Sequence, residues 1–173
     1  MKITAPAKLT KHCFKDFAYR NSNIDVWLPE KQPKQSGEVT VIVRTKDQTF
    51  IEMAEQYIGS SDPAILKKHT LTLPMVEKLI QDAEANGLCT DGWGNFFFVE
   101  DKDDGVSVAR VNRDGSRWYA DVHRLGRDRR WDAGIRLLVR NVDASKLGRS
   151  DTFSLEQAVQ MCKEAGYKVS KEL

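Results

Sequence analysis

The chain has 173 residues, with 27 Lys or Arg against 25 Asp or Glu, 40% hydrophobic residues and three cysteines. A chain of that length can bury a substantial core as one domain of about 100–200 residues. With 30% charged residues it holds no run near the ~20 apolar residues of a membrane-crossing helix, which excludes a helical membrane protein. Cys13, Cys89 and Cys162 are too scattered for a disulfide framework, and Met1 to Pro6 lacks an apolar signal region, so a reducing, cytoplasmic setting is expected.

In chain order, Ile24-Asp25-Val26-Trp27-Leu28 alternates apolar and polar residues and stops at Pro29, which predicts a short strand. Glu30 to Gly37 has no apolar residue and predicts an exposed loop. The domain reading is therefore a single α+β domain over 1–173 with a loosely attached segment 1–37. Val39 to Val43 is β-branched throughout and predicts a buried strand. Phe50, Met53, Ala54, Tyr57 and Ile58 form one helical stripe, predicting a helix over about 47–58. Ser61-Asp62-Pro63 opens a second helix over 63–69, and Val76, Leu79, Ile80 and Ala83 mark a third over 74–86, closed at Gly87.

The pattern then turns to strands. Phe96–Val99, Val106–Val111 and Trp118–Leu125 are joined at Asp104-Gly105 and Asp114-Gly115, both strong hairpin signals, and Ile135–Val139 is a fourth apolar run. These predict an antiparallel meander of four or more strands over about 95–141. Ser154 with Gln157 predicts a capped C-terminal helix over about 155–165. The fold class is α+β, and the absence of βαβ alternation argues against a doubly wound nucleotide-binding fold.

The near-neutral total conceals opposed blocks. Residues 1–46 carry a net +5, residues 47–104 a net −8, residues 105–149 a net +6 and residues 150–173 a net −1. In the third block ten of eleven bases are Arg, whose planar guanidinium forks onto phosphate or carboxylate and stacks on rings. His and Cys show no metal-ligand spacing, and Asp101 to Gly105 fits a hairpin turn better than a calcium loop. No phosphate-cradling glycine motif occurs, so neither metal nor cofactor is assigned. No nucleophile, base and orienting group can be named together, so no catalytic residue is assigned, with His123 and Cys89 the nearest candidates. The helix over 74–86 offers Lys78 against Glu77, Asp82 and Glu84, which argues against its use as a DNA-recognition helix.

The third meander strand places Trp118, Ala120 and Val122 on one face and Arg117, Tyr119, Asp121 and His123 on the other. If the fourth run pairs beside it, Arg136 and Arg140 join that second face, and the preceding loop adds Arg127, Arg129, Arg130 and Trp131. This combination of guanidiniums and rings suits a polyanion, most naturally nucleic acid. The expected function is a non-enzymatic binding protein. The alternatives are an accessory subunit or homo-oligomer whose acidic helices and basic sheet address protein partners, and an enzyme with a dispersed His/Cys site. The plainest alternative is a solvated sheet face crossed by ion pairs such as Asp121 with a neighbouring Arg.

Overall fold

The structure is a computed structural model that describes residues 1–142. The helix expected over 155–165 lies outside the described residues. In chain order the elements are β1 (Lys2–Ala5), β2 (Lys8–Leu9), β3 (Tyr19–Arg20), α1 (Asn23–Trp27), β4 (Lys31–Gln32), β5 (Gln35–Val43), α2 (Phe50–Tyr57), α3 (Pro63–Leu66) and α4 (Leu73–Gln81), followed by β6 (Gly94–Glu100), β7 (Val106–Asp114), β8 (Arg117–Arg124) and β9 (Arg136–Arg140).

Local chemistry sets the helix starts. Thr49 accepts from the Glu52 amide at 3.2 Å while Glu52 accepts from the Thr49 amide at 2.8 Å, a reciprocal cap that opens α2 at Phe50. Asp62 caps α3 ahead of Pro63, and a 3-10 turn over Lys67–His69 completes the segment. Helix α4 ends at Gln81, earlier than its apolar stripe suggests, although Ala83 still packs into the core. Hairpin β6–β7 turns with Asp104 at φ 63°, and hairpin β7–β8 with Gly115 at φ 57°, the left-handed conformation in which Gly avoids a Cβ clash.

Seven strands form one sheet in the order β1-β5-β9-β6-β7-β8-β3, antiparallel except for the pairs β6–β9 and β3–β8, while β2 and β4 form a separate ribbon. Three consecutive strands make a meander, but the fourth run does not extend it. Strand β9 instead lies between β5 and β6, with Ile42 opposite Leu137 on one side and Phe96 opposite Leu137 on the other. Its residues Leu137, Leu138 and Val139 are all fully buried, and a strand covered on both faces needs the middle of a sheet.

Two sequence expectations for the N-terminal region are corrected. Ile24 to Leu28 is not a strand: Ile24 and Leu28 are both buried one helical turn apart in and beside α1, with Val26 left 52% exposed. The Asn21 side chain starts that turn by accepting from the Asn23 amide at 2.8 Å. Nor is Glu30 to Gly37 a free loop. Buried Gln32 accepts from the Leu73 amide at 3.2 Å, and Gln35 to Gly37 pair with β1. The hydrophilic composition misled because these side chains serve backbone groups of other segments.

The sheet carries a hydrophobic cluster on each face. On one, Val39, Phe97, Val111, Ala120 and Leu138 meet Ile24, Leu28, Phe14 and the apolar side of α4. On the other, Ile42, Phe96, Phe98, Val108 and Leu137 meet Phe50, Met53 and Ala54 of α2, Leu66 and Trp131. Each large side chain so buried contributes about 1.5–3 kcal/mol.

The loop between β8 and β9 is pinned to the second face by Arg44, which is 1% exposed. Its guanidinium donates to the carbonyls of Trp131 at 2.7 Å and Lys46 at 3.0 Å, and Gln48 and Trp131 exchange backbone hydrogen bonds at 3.1 and 2.9 Å. Replacing Arg44 with Met strands those buried carbonyls. We expect a loss of about 2 kcal/mol in urea unfolding with an unchanged m value; a loss below about 0.5 kcal/mol would contradict this role.

Candidate functional site

Beyond the cover of α2 and of the β8–β9 loop, the second face of the sheet continues over one end of β7, β8 and β3 with partly exposed residues. The register places Gly94, Asn112, Tyr119 and Tyr19 in one row across β6, β7, β8 and β3. Tyr19 is 49% exposed and Tyr119 is half-buried beside it. Their adjacency depends on parallel pairing: the Ala18 amide donates to the Trp118 carbonyl and the Asn21 amide to the Ala120 carbonyl, both at 2.9 Å. Arg20 anchors this short strand from behind, donating to the Cys13 carbonyl at 2.8 Å and forking onto Asp25 at 2.6 and 2.7 Å.

The next row toward the core holds Phe96, Arg110 and Asp121, with Arg110 and Asp121 paired at 2.5 Å, and the row after it holds Phe98, Val108 and His123. On the other side of the tyrosines, exposed Arg117 stands opposite Asp114. Trp131 closes the border. It is 5% exposed, stacked on Phe50 at 5.3 Å and set against His123 at 5.3 Å, so it is a core residue and not an exposed stacking platform. Three guanidiniums surround its indole: Arg129 at 4.3 Å from the ring centroid, and Arg110 and Arg127 at 5.9 Å each.

His123 is a neutral spacer in this cluster. Burial first, and the Arg127 guanidinium second, lower its pKa from 6.5 to about 4. Its Nδ1 therefore accepts from Arg127 at 2.7 Å.

The sequence-derived constellation is thus divided. Arg117, Tyr119, His123, Arg127 and Arg129 share one region. Arg136 and Arg140 do not join it, because β9 pairs with β5 and β6 and their side chains share the face of Leu138, opposite to Tyr119. Both serve the backbone there: Arg136 donates to the carbonyls of Gly87 and Gly134, and Arg140 to that of Thr70 at 2.9 Å while lying across Gly37, where a Cβ would meet its side chain at 2.7 Å. Arg130 is tied to Glu52 at 2.8 Å and to the Asp47 carbonyl. Among the described residues, Arg20, Arg110, Arg113, Arg124 and Arg130 each have a carboxylate partner within 4 Å; Arg44, Arg136 and Arg140 have only carbonyl or amide acceptors, and Arg117, Arg127 and Arg129 have no carboxylate partner either.

Sequence reasoning missed Tyr19, which lies in a basic segment where nothing local couples it to Tyr119. Cys89 lies away from His123, beside Asn95 of the opposite face, and its thiol is pushed up to about 11 by burial and by donation to Asp91. No family model, curated protein or solved structure matches this chain.

The depressed pKa of His123 has a signed consequence. Between pH 6.5 and about 4 the unfolded chain binds a proton that the folded chain rejects, so this contribution to stability is complete above pH 6.5 and is lost as pH falls toward 4. Relative to the His123→Gln variant, the native protein should lose about 2 kcal/mol of unfolding free energy across that window, a value discounted for solvent screening. Parallel pH profiles of the two proteins would contradict it.

Proposed function

We propose that the protein binds single-stranded nucleic acid on the partly exposed sheet face of β7, β8 and β3. The observation that carries this reading is the Tyr19–Tyr119 pair, two phenol rings in register on neighbouring strands and beside Arg117. Strands lie about 4.8 Å apart, so the two tyrosines stand side by side on one face, where each ring can stack on a base, a contact that every base can make. Arg117 at one end and Arg127 and Arg129 at the other lack carboxylate partners among the described residues, which suits them to phosphates along the same strand. Single strands are favoured over duplex because bases must be splayed out to lie on a ring, and because α4 presents Lys78 among acidic neighbours and so lacks the character of a groove-reading helix.

Fluorescence anisotropy with labelled single strands across a salt series tests this directly. About three phosphate contacts predict a log–log slope of about −2, with the duplex binding more weakly. Combined Tyr19→Ala and Tyr119→Ala should weaken binding by at least about tenfold, since each stacked base contributes about 1–3 kcal/mol, while leaving the salt slope in place. Arg117→Ala should reduce the slope by about 0.7, and Arg130→Ala should change little because Glu52 already engages that guanidinium. No binding at low salt, or full binding by the double Tyr variant, overturns the proposal.

A further inference from the structure

The surroundings of Trp131 are richer in donors than the binding of a strand backbone requires. Trp131 is 95% buried by its 5% exposure, and its Nε1–H has no acceptor among the described residues. The same holds for Arg110 Nε and for His123 Nε2, which carries the ring proton once Nδ1 accepts from Arg127. Arg129, over the same indole, has no side-chain acceptor among the described residues, and Arg127 has only His123. Asp121 is engaged by Arg110, and exposed Asp128, between the two arginines in the chain, pairs with no Arg within 4 Å among the described residues. Buried donors normally have acceptors, so this cluster holds more donors than the described residues accept.

We propose that Arg127 and Arg129, over Trp131, form a subsite for a singly esterified phosphate, such as one at the end of a nucleic-acid strand. A phosphomonoester carries about −1.5 to −2 charges at neutral pH and three free oxygens, whereas an internal diester offers a single charge and two. Two guanidinium forks over one indole match the first count better. His123 is the positioning residue, because its Nδ1 holds one Arg127 nitrogen and aims the remainder of that fork. The subsite adjoins the tyrosine pair through Arg110 and so deepens the strand-binding reading, but its anion chemistry stands without it.

The experiment compares one short oligothymidylate in three forms, with a 5′-phosphate, with a 3′-phosphate and with neither, alongside inorganic phosphate read through the Trp131 indole N–H resonance. One phosphorylated end is expected to bind about tenfold tighter than the hydroxyl form. Arg127→Gln and Arg129→Gln should each erase that advantage and weaken the hydroxyl form only by the loss of one phosphate contact, whereas the tyrosine variants should weaken all three forms alike. Both arginines are exposed, so neither change threatens the fold. Equal binding of the three forms overturns the subsite and leaves the strand-binding reading intact. If no oligonucleotide binds but inorganic phosphate shifts the Trp131 resonance saturably and Arg129→Gln abolishes the shift, the subsite stands and the strand reading falls. No shift and no binding overturns both.

Discussion

The position of β9 governs the rest of the molecule. Leu137, Leu138 and Val139 are apolar on consecutive residues and fully buried, so the strand must be flanked by strands on both edges and covered on both faces. The chain leaving β8 therefore cannot turn back beside it. It crosses the second face over β7 and β6 to reach the gap between β6 and β5. Trp131 is the anchor of that crossing, packed on Phe50 and Phe96, and Arg44 and Gln48 tie down its backbone. The basic loop is thereby held against the same face of the sheet that bears Tyr119. The topology, more than the loop's own composition, brings Arg127 and Arg129 near the tyrosines.

The fold also decides which arginines are occupied. Arg113 pairs with Glu84 and Arg130 with Glu52, so the acidic helical block does neutralise part of the basic block within the fold. Such exposed pairs are worth at most about 1 kcal/mol each, and their importance here lies in selection. They engage some guanidiniums while Arg117, Arg127 and Arg129 remain grouped on one side. Cation–π contact with Trp131 then costs Arg129 little of its hydrogen-bonding capacity, because the indole face takes no hydrogen-bond acceptor's place.

Much of the local structure was legible in residue patterns. The apolar stripe of α2, the cap of α3, the Asp-Gly turns and the assignment of Trp118, Ala120 and Val122 to one face of β8 all rest on neighbours within a few residues. The short helix at Ile24 was not legible, because two apolar residues four apart fit alternation and helical spacing equally well over so short a run. Gln32 and Gln35 read as loop residues for a related reason: a polar side chain buried to serve a distant backbone amide has the same letter as a solvated one.

Strand existence and side-chain alternation are short-range properties, since they follow from backbone sterics and a period of two, and the sequence alone determined them here together with the α+β class and the opposed charge blocks. Strand order is a long-range property, set by which buried faces can be covered at once and by what entropy of loop closure permits. It moved β9 to the centre, turned Arg136 and Arg140 to the opposite face and brought Tyr19 beside Tyr119. The balance of 27 bases against 25 acids therefore conceals neither a simple basic face nor complete internal neutralisation. Tertiary pairing alone decided which guanidiniums remain without a carboxylate partner among the described residues, because a charge is matched by its neighbours in space.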